Sequence, residues 1–88
     1  MAFFARFEID LFNEDPLVVG EVTTYPDAVE RAEGEVNKLL RDEKVVEEKF
    51  GKRAEMKILS VANAPPEVAG ELEKLAEANG IKALLKGC

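Results

Sequence analysis

Ten residues near the start, Phe3-Phe4-Ala5-Arg6-Phe7-Glu8-Ile9-Asp10-Leu11-Phe12, hold most of the aromatic side chains of the chain. Phe3, Ala5, Phe7, Ile9 and Leu11 alternate with Phe4, Arg6, Glu8, Asp10 and Phe12. That is the two-residue period of a strand with one apolar and one mostly charged face. Each Phe, Ile or Leu fully buried there contributes roughly 1.5–3 kcal/mol. The stretch therefore reads as the strand on which the core is built, and what covers its apolar face decides the fold.

The rest of the chain supplies the cover. Asn13-Glu14-Asp15-Pro16 is a polar turn, and Leu17 to Thr24 has the β-branched content of a second strand, so the two strands form a hairpin. Gly20 inside the second strand predicts a bulge or a close backbone approach. Thr24-Tyr25-Pro26-Asp27 is a helix start, with a Thr cap, an early Pro and an acid three residues on. Val29, Ala32, Val36, Leu39 and Leu40 then recur at steps of three and four, the stripe of an amphipathic helix. The stripe stumbles at Arg41-Asp42-Glu43-Lys44 and resumes at Val45, Val46 and Phe50. The helix either runs through to a cap at Gly51 or breaks near Asp42, and the continuous form is the simpler one.

Lys52 to Ala62 is a third strand. Its apolar parity changes from Ala54, Met56 and Ile58 to Leu59 and Val61, which predicts a bulge near Ser60 or a strand end covered on both sides. Asn63-Ala64-Pro65-Pro66-Glu67 leads into a second helix with the inner stripe Val68, Leu72, Leu75 and Ala76, ended by Asn79-Gly80. Ile81 to Lys86 is a short last strand whose lysines suit an exposed edge.

The order is β-β-α-β-α-β. Two amphipathic helices and a first strand that is polar on one side predict an α+β two-layer sandwich: a largely antiparallel four-stranded sheet with both helices on one face. The outline is similar to ferredoxin-like domains, from which the leading hairpin departs. No family motif accompanies it, so no functional residue carries over.

At 88 residues the chain makes a single domain, 1–88, with one modest core. No apolar run approaches the length that spans a bilayer, and Met1-Ala2-Phe3 lacks the pattern of a secretory signal, so a cytoplasmic location is expected. The lone Cys88 has no internal partner and reads as a free thiol without a role. A net charge of -6 opposes direct nucleic-acid binding and suits a basic partner. The chain has no His, Trp or Gln and is rich in Glu and Lys, a bias that resembles proteins of high-temperature organisms. Without His it lacks the usual proton shuttle near neutral pH and the commonest transition-metal ligand.

Candidate sites are correspondingly few. Glu8, Asp10, Asn13, Glu14 and Asp15 form the densest oxygen cluster, a partial shell for calcium or another hard divalent cation. The run lacks the calcium-loop spacing and its Gly. Asp42, Glu43, Glu47 and Glu48, interleaved with Arg41, Lys44 and Lys49, read as helix-surface ion pairs. Lys49 to Arg53 is a locally basic turn without phosphate-loop grammar. Neither Ser60 nor Cys88 has the setting of a nucleophile, so no enzyme and no cofactor are expected. Phe4 and Phe12, flanking Arg6 on the charged face of the first strand, are the aromatics folding does not require. They suggest a contact surface for a protein partner or a second copy. The expectation is a non-enzymatic interaction module using the open face of the sheet. The alternatives are a calcium-type binding protein and an acidic decoy of nucleic acid.

Overall fold

The computed structural model describes the backbone of residues 2–4, 7–24 and 29–87 and the side chains of 8–24 and 30–85. Its aromatic-rich first stretch is not one strand. β1 (Ala2–Phe4) and β2 (Phe7–Ile9) form an antiparallel hairpin, with Ala2 opposite Ile9 and Phe4 opposite Phe7. After a bend at Asp10, β3 (Leu11–Asn13) joins a different sheet. Alternation could not reveal this, because a period of two persists on both arms of a hairpin. The pairing sets odd positions opposite even ones, Phe3 against Glu8, so the sequence pattern does not mark two faces of one ribbon. The side chains of Phe3, Ala5 and Phe7 and the helix start at residues 25–28 lie outside the described residues.

From Leu11 the expected order of elements holds. β4 (Val18–Thr23) pairs antiparallel with β3, Phe12 facing Val19 and Leu11 facing Gly20. The connecting turn is tied by Asn13, whose Nδ2 donates to the Pro16 carbonyl at 2.7 Å. α1 (Val29–Phe50) runs for 22 residues without a break at Asp42. It ends where Gly51 adopts φ 64° and donates its N–H to the Glu47 carbonyl at 2.9 Å. That is the left-handed position that glycine fills without strain. β5 (Met56–Ala64), α2 (Pro66–Ala78) and β6 (Lys82–Gly87) complete the chain. At the end of α2, Gly80 has φ 66° and the Ile81 N–H donates to the Ala76 carbonyl at 2.8 Å, folding the chain back into the core.

The sheet order is β3-β4-β5-β6. Only β3 and β4 are antiparallel; β4–β5 and β5–β6 are parallel, so the expected largely antiparallel sheet is in fact mixed and mostly parallel. The reason is visible in the connections. Each helix is a crossover that carries the chain back to start the next strand in the same direction, and only the first connection is short enough for a hairpin. α1 packs on β4 and β5, α2 packs on β5 and β6, and the two helices touch, so they share one face of the sheet. Between them lie Ile9, Leu17, Val19, Leu39, Val46, Leu59, Val61 and Leu72, all buried.

β5 also corrects the expected bulge. Lys57, Leu59 and Val61 keep one parity toward the helices: Leu59 and Val61 are buried, and Lys57 meets Glu43 of α1 at 3.4 Å. Met56 and Ile58 belong to the other side, and the register shifts between Ala62 and Ala64 instead of at Ser60. There Asn63 takes φ 59°. The apparent change of parity arises because apolar residues occupy both faces of this central strand.

Candidate functional site

Two features stand apart from ordinary core packing: the open face of the sheet, and a charged group sealed between sheet and helix. The open face follows from strand parity. Val19 and Glu21 on β4 and Leu59 and Val61 on β5 point to the helices, so Val18, Gly20, Val22, Met56, Ile58 and Ser60 belong to the opposite side. Leu84 of β6 pairs with Ser60 and shares that side. Here the exposed large hydrophobics collect: Val22 is 45% exposed, Met56 43% and Leu84 48%. Val18, Ile58 and Leu11 are half-buried beside them. Leu11 reaches this face by lying over Gly20, where an added Cβ would come within 3.0 Å of Leu11 Cβ and 2.8 Å of the Ile58 carbonyl oxygen. The close backbone approach expected of Gly20 is real.

The sealed group centres on Glu21 and Asp42, both fully buried. Glu21 Oε2 accepts the Asp10 N–H at 3.0 Å, and Lys38 Nζ lies 2.7 Å from its Oε1. Asp10 in turn accepts the Val22 N–H through Oδ2 at 3.1 Å, which clips the bend after β2 onto β4. Both carboxyl oxygens of Asp42 lack a hydrogen-bond partner among the described residues. Burial, and then the negative charge of Glu21, push the Asp42 carboxyl up to about 6, against the pull of Lys38. The bond to Glu21 raises the affinity of Lys38 for its proton. Burial also raises Glu35, a neighbour on α1, with the charges of Glu21 and Asp10 adding to it.

The structure scatters most of the residues singled out by sequence. Phe12 is half-buried and stacks on Phe50 of α1 with ring centroids 5.7 Å apart. Opposite Val19, it lies on the helix side and not on the open face, where the alternation of the first stretch would put it. Phe4 and Arg6 fall outside the described side chains. Of the oxygen cluster, Glu8, Asn13, Glu14 and Asp15 are exposed, whereas Asp10 is committed to Val22. Asp15 lies 3.7 Å from Lys52, and no group of three or more acidic, His or Cys side chains among the described residues is placed to hold a metal.

The acidic run of α1 is only partly surface. Glu43 meets Lys57, Glu47 accepts the Ala54 N–H at 2.8 Å, and Asp42 faces inward. The basic turn lines a shallow depression of about 440 Å³ with Lys52 and Arg53, and Glu47 and Glu48 line it too, so its charge is mixed. Compared with family models, curated proteins and solved structures, the chain matches none. The site therefore rests on its own geometry.

Sequence reasoning missed the Glu21–Asp42 pair, although its signal was present. Leu39, Asp42 and Val46 are spaced by three and four, which puts Asp42 in the apolar stripe of the helix. Glu21 sits in a strand whose alternate neighbour Val19 is core. An acid at an inner position of both a helix and a strand was the clue.

Proposed function

We propose that the protein is a non-enzymatic interaction module that meets a second copy of itself through the open face of its sheet. The observation that supports this reading is the gathering of Val22, Met56 and Leu84, each close to half exposed, on one face of β4, β5 and β6. Charge favours a second copy. The chain carries a net charge of -6, and the exposed acids Glu30, Glu33, Glu48, Glu67, Glu71, Glu73 and Glu77 crowd the outer faces of the helices. The described residues of the open face include no carboxylate, and Lys82 stands at its β6 edge. Two copies meeting face to face keep their acids apart; any helix-to-helix contact brings like charges together.

Area sets the strength. Four strands about 4.8 Å apart, averaging about 20 Å in length, offer a face of roughly 400 Å². That is about half of the ~800 Å² per partner in a standard stable interface, so the dimer is weak, with Kd in the micromolar range or above. Sedimentation equilibrium of the wild type and of a Met56→Lys, Leu84→Lys variant tests the proposal. The wild type should associate as concentration rises, and the variant should stay monomeric with an unchanged circular-dichroism spectrum. A wild type that remains monomeric up to millimolar concentration, or a folded variant that associates equally well, overturns it.

A further inference from the structure

The Glu21–Asp42 pair has a consequence independent of the open face. Two carboxyl groups from facing elements, β4 and α1, are both fully buried, and a single cation, Lys38, is paired with Glu21. Glu21 accepts the Asp10 N–H at Oε2, and its Oε1, which has no hydrogen bond among the described residues, faces the Lys38 ammonium at 2.7 Å. Neither oxygen of Asp42 has a hydrogen-bond partner among the described residues. Two ionised carboxylates are acceptors only and cannot bond to each other, whereas a proton on Asp42 turns it into a donor toward Glu21. We infer that Glu21 and Asp42 form a one-proton latch between sheet and helix: with the proton in place α1 is locked onto β4, and loss of the proton loosens it.

The surroundings favour a single proton. On α1, Lys38 is paired with Glu21, Arg41 draws the Asp42 proton off only weakly, and Glu35 adds another acid nearby. From the bend after β2 comes Asp10, whose carboxylate serves Val22. The cation of β5, Lys57, is engaged by Glu43 and by the Asn79 carbonyl at 2.7 Å. The buried residues of α2 are Val68, Leu72 and Ala76. Burial, and then the charge of Glu21, outweigh the pull of Lys38 and the weaker pull of Arg41 on the Asp42 proton. When Asp42 does ionise, the strain falls on the contact between α1 and β4, and through Glu21 on the Asp10 clip that holds the bend before β3.

Titration of the Asp42 carboxyl carbon by NMR, together with amide hydrogen exchange along α1, tests the latch in the full chain. The proton on Asp42 should leave well above the ordinary aspartate range. After correction for intrinsic exchange, protection of the α1 amides around Asp42 should fall about tenfold between about pH 5 and pH 7.5. Asp42→Asn, a neutral mimic of the latched form, should abolish that fall. Glu21→Gln should move the Asp42 titration toward the ordinary range, a readout that survives if the Asn variant folds poorly. An Asp42 that titrates like a free aspartate, or equal pH dependence of α1 protection in the wild type and Asp42→Asn, overturns the inference.

Discussion

Gly20 has a hydrogen where any other residue has a Cβ, and the backbone of β5 fills the space that a Cβ would need. An added methyl would lie 2.8 Å from the Ile58 carbonyl oxygen, a group that cannot move without disturbing the β4–β5 ladder. Gly20→Ala should therefore cost about 1–3 kcal/mol, as overpacking does. Gly34 is the control: it lies within α1, where an added methyl would meet nothing within 4 Å, and Gly34→Ala should stabilise by roughly 0.5–1 kcal/mol. Urea denaturation of the two variants reads both signs. Asp42 gives the pH dependence at the same scale. Its folded value is raised, from 3.8 to about 6, so its stabilising contribution is complete below about pH 3.8 and is lost as pH rises through 6. At about 1.4 kcal/mol for each tenfold change in proton affinity, the loss is on the order of 3 kcal/mol. Thermal melts of wild type and Asp42→Asn from about pH 4 to 8 should diverge, with the variant gaining relative stability as pH rises. Parallel curves would contradict this assignment.

Among the elements, the helices and the antiparallel pairing of Leu11–Asn13 with Val18–Thr23 were legible, and the other strand pairings were not. Ala32, Val36 and Leu39 in α1 and Val68, Leu72 and Ala76 in α2 lie at helical spacing and are all buried, and Gly51 and Gly80 end the helices as their positions in sequence suggest. A helix announces its inward face through local periodicity, whereas a strand without a tight turn beside it gains its partner only from distant residues. Nothing in Phe3 to Phe12 distinguishes one strand from a hairpin followed by a strand, and the bend at Asp10 puts Phe12 on the helix side against Phe50. The same limit hides the site. Met56 and Ile58 form one apolar parity and Leu59 and Val61 the other, and local pattern does not say which of the two faces the helices. A pair of truncations separates the two faces. Leu72→Ala, fully buried on the inner face of α2, should cost about 2–5 kcal/mol, the range of cavity-forming changes. Leu84→Ala, 48% exposed on the open face, should cost under about 1 kcal/mol in the monomer. Equal losses in chemical denaturation would mean that the open face is part of the core.

At the scale of the whole molecule, the net charge of -6 and the apolar sheet face act against each other. Like charge on two copies resists association, and salt screens that repulsion within a Debye length of about 8–10 Å at physiological ionic strength. Raising salt from about 0.05 to 0.5 M should therefore strengthen self-association. A basic partner held by an acidic decoy would show the opposite trend, because its attraction is screened. Light scattering across that range distinguishes the two. The central claim is that copies meet through the open sheet face, and isotope-filtered NMR on a mixture of labelled and unlabelled chains tests it most directly. The account predicts intermolecular contacts from the methyl groups of Val22, Met56 and Leu84. Intermolecular contacts confined to the outer faces of α1 and α2, or none at millimolar concentration, would contradict it.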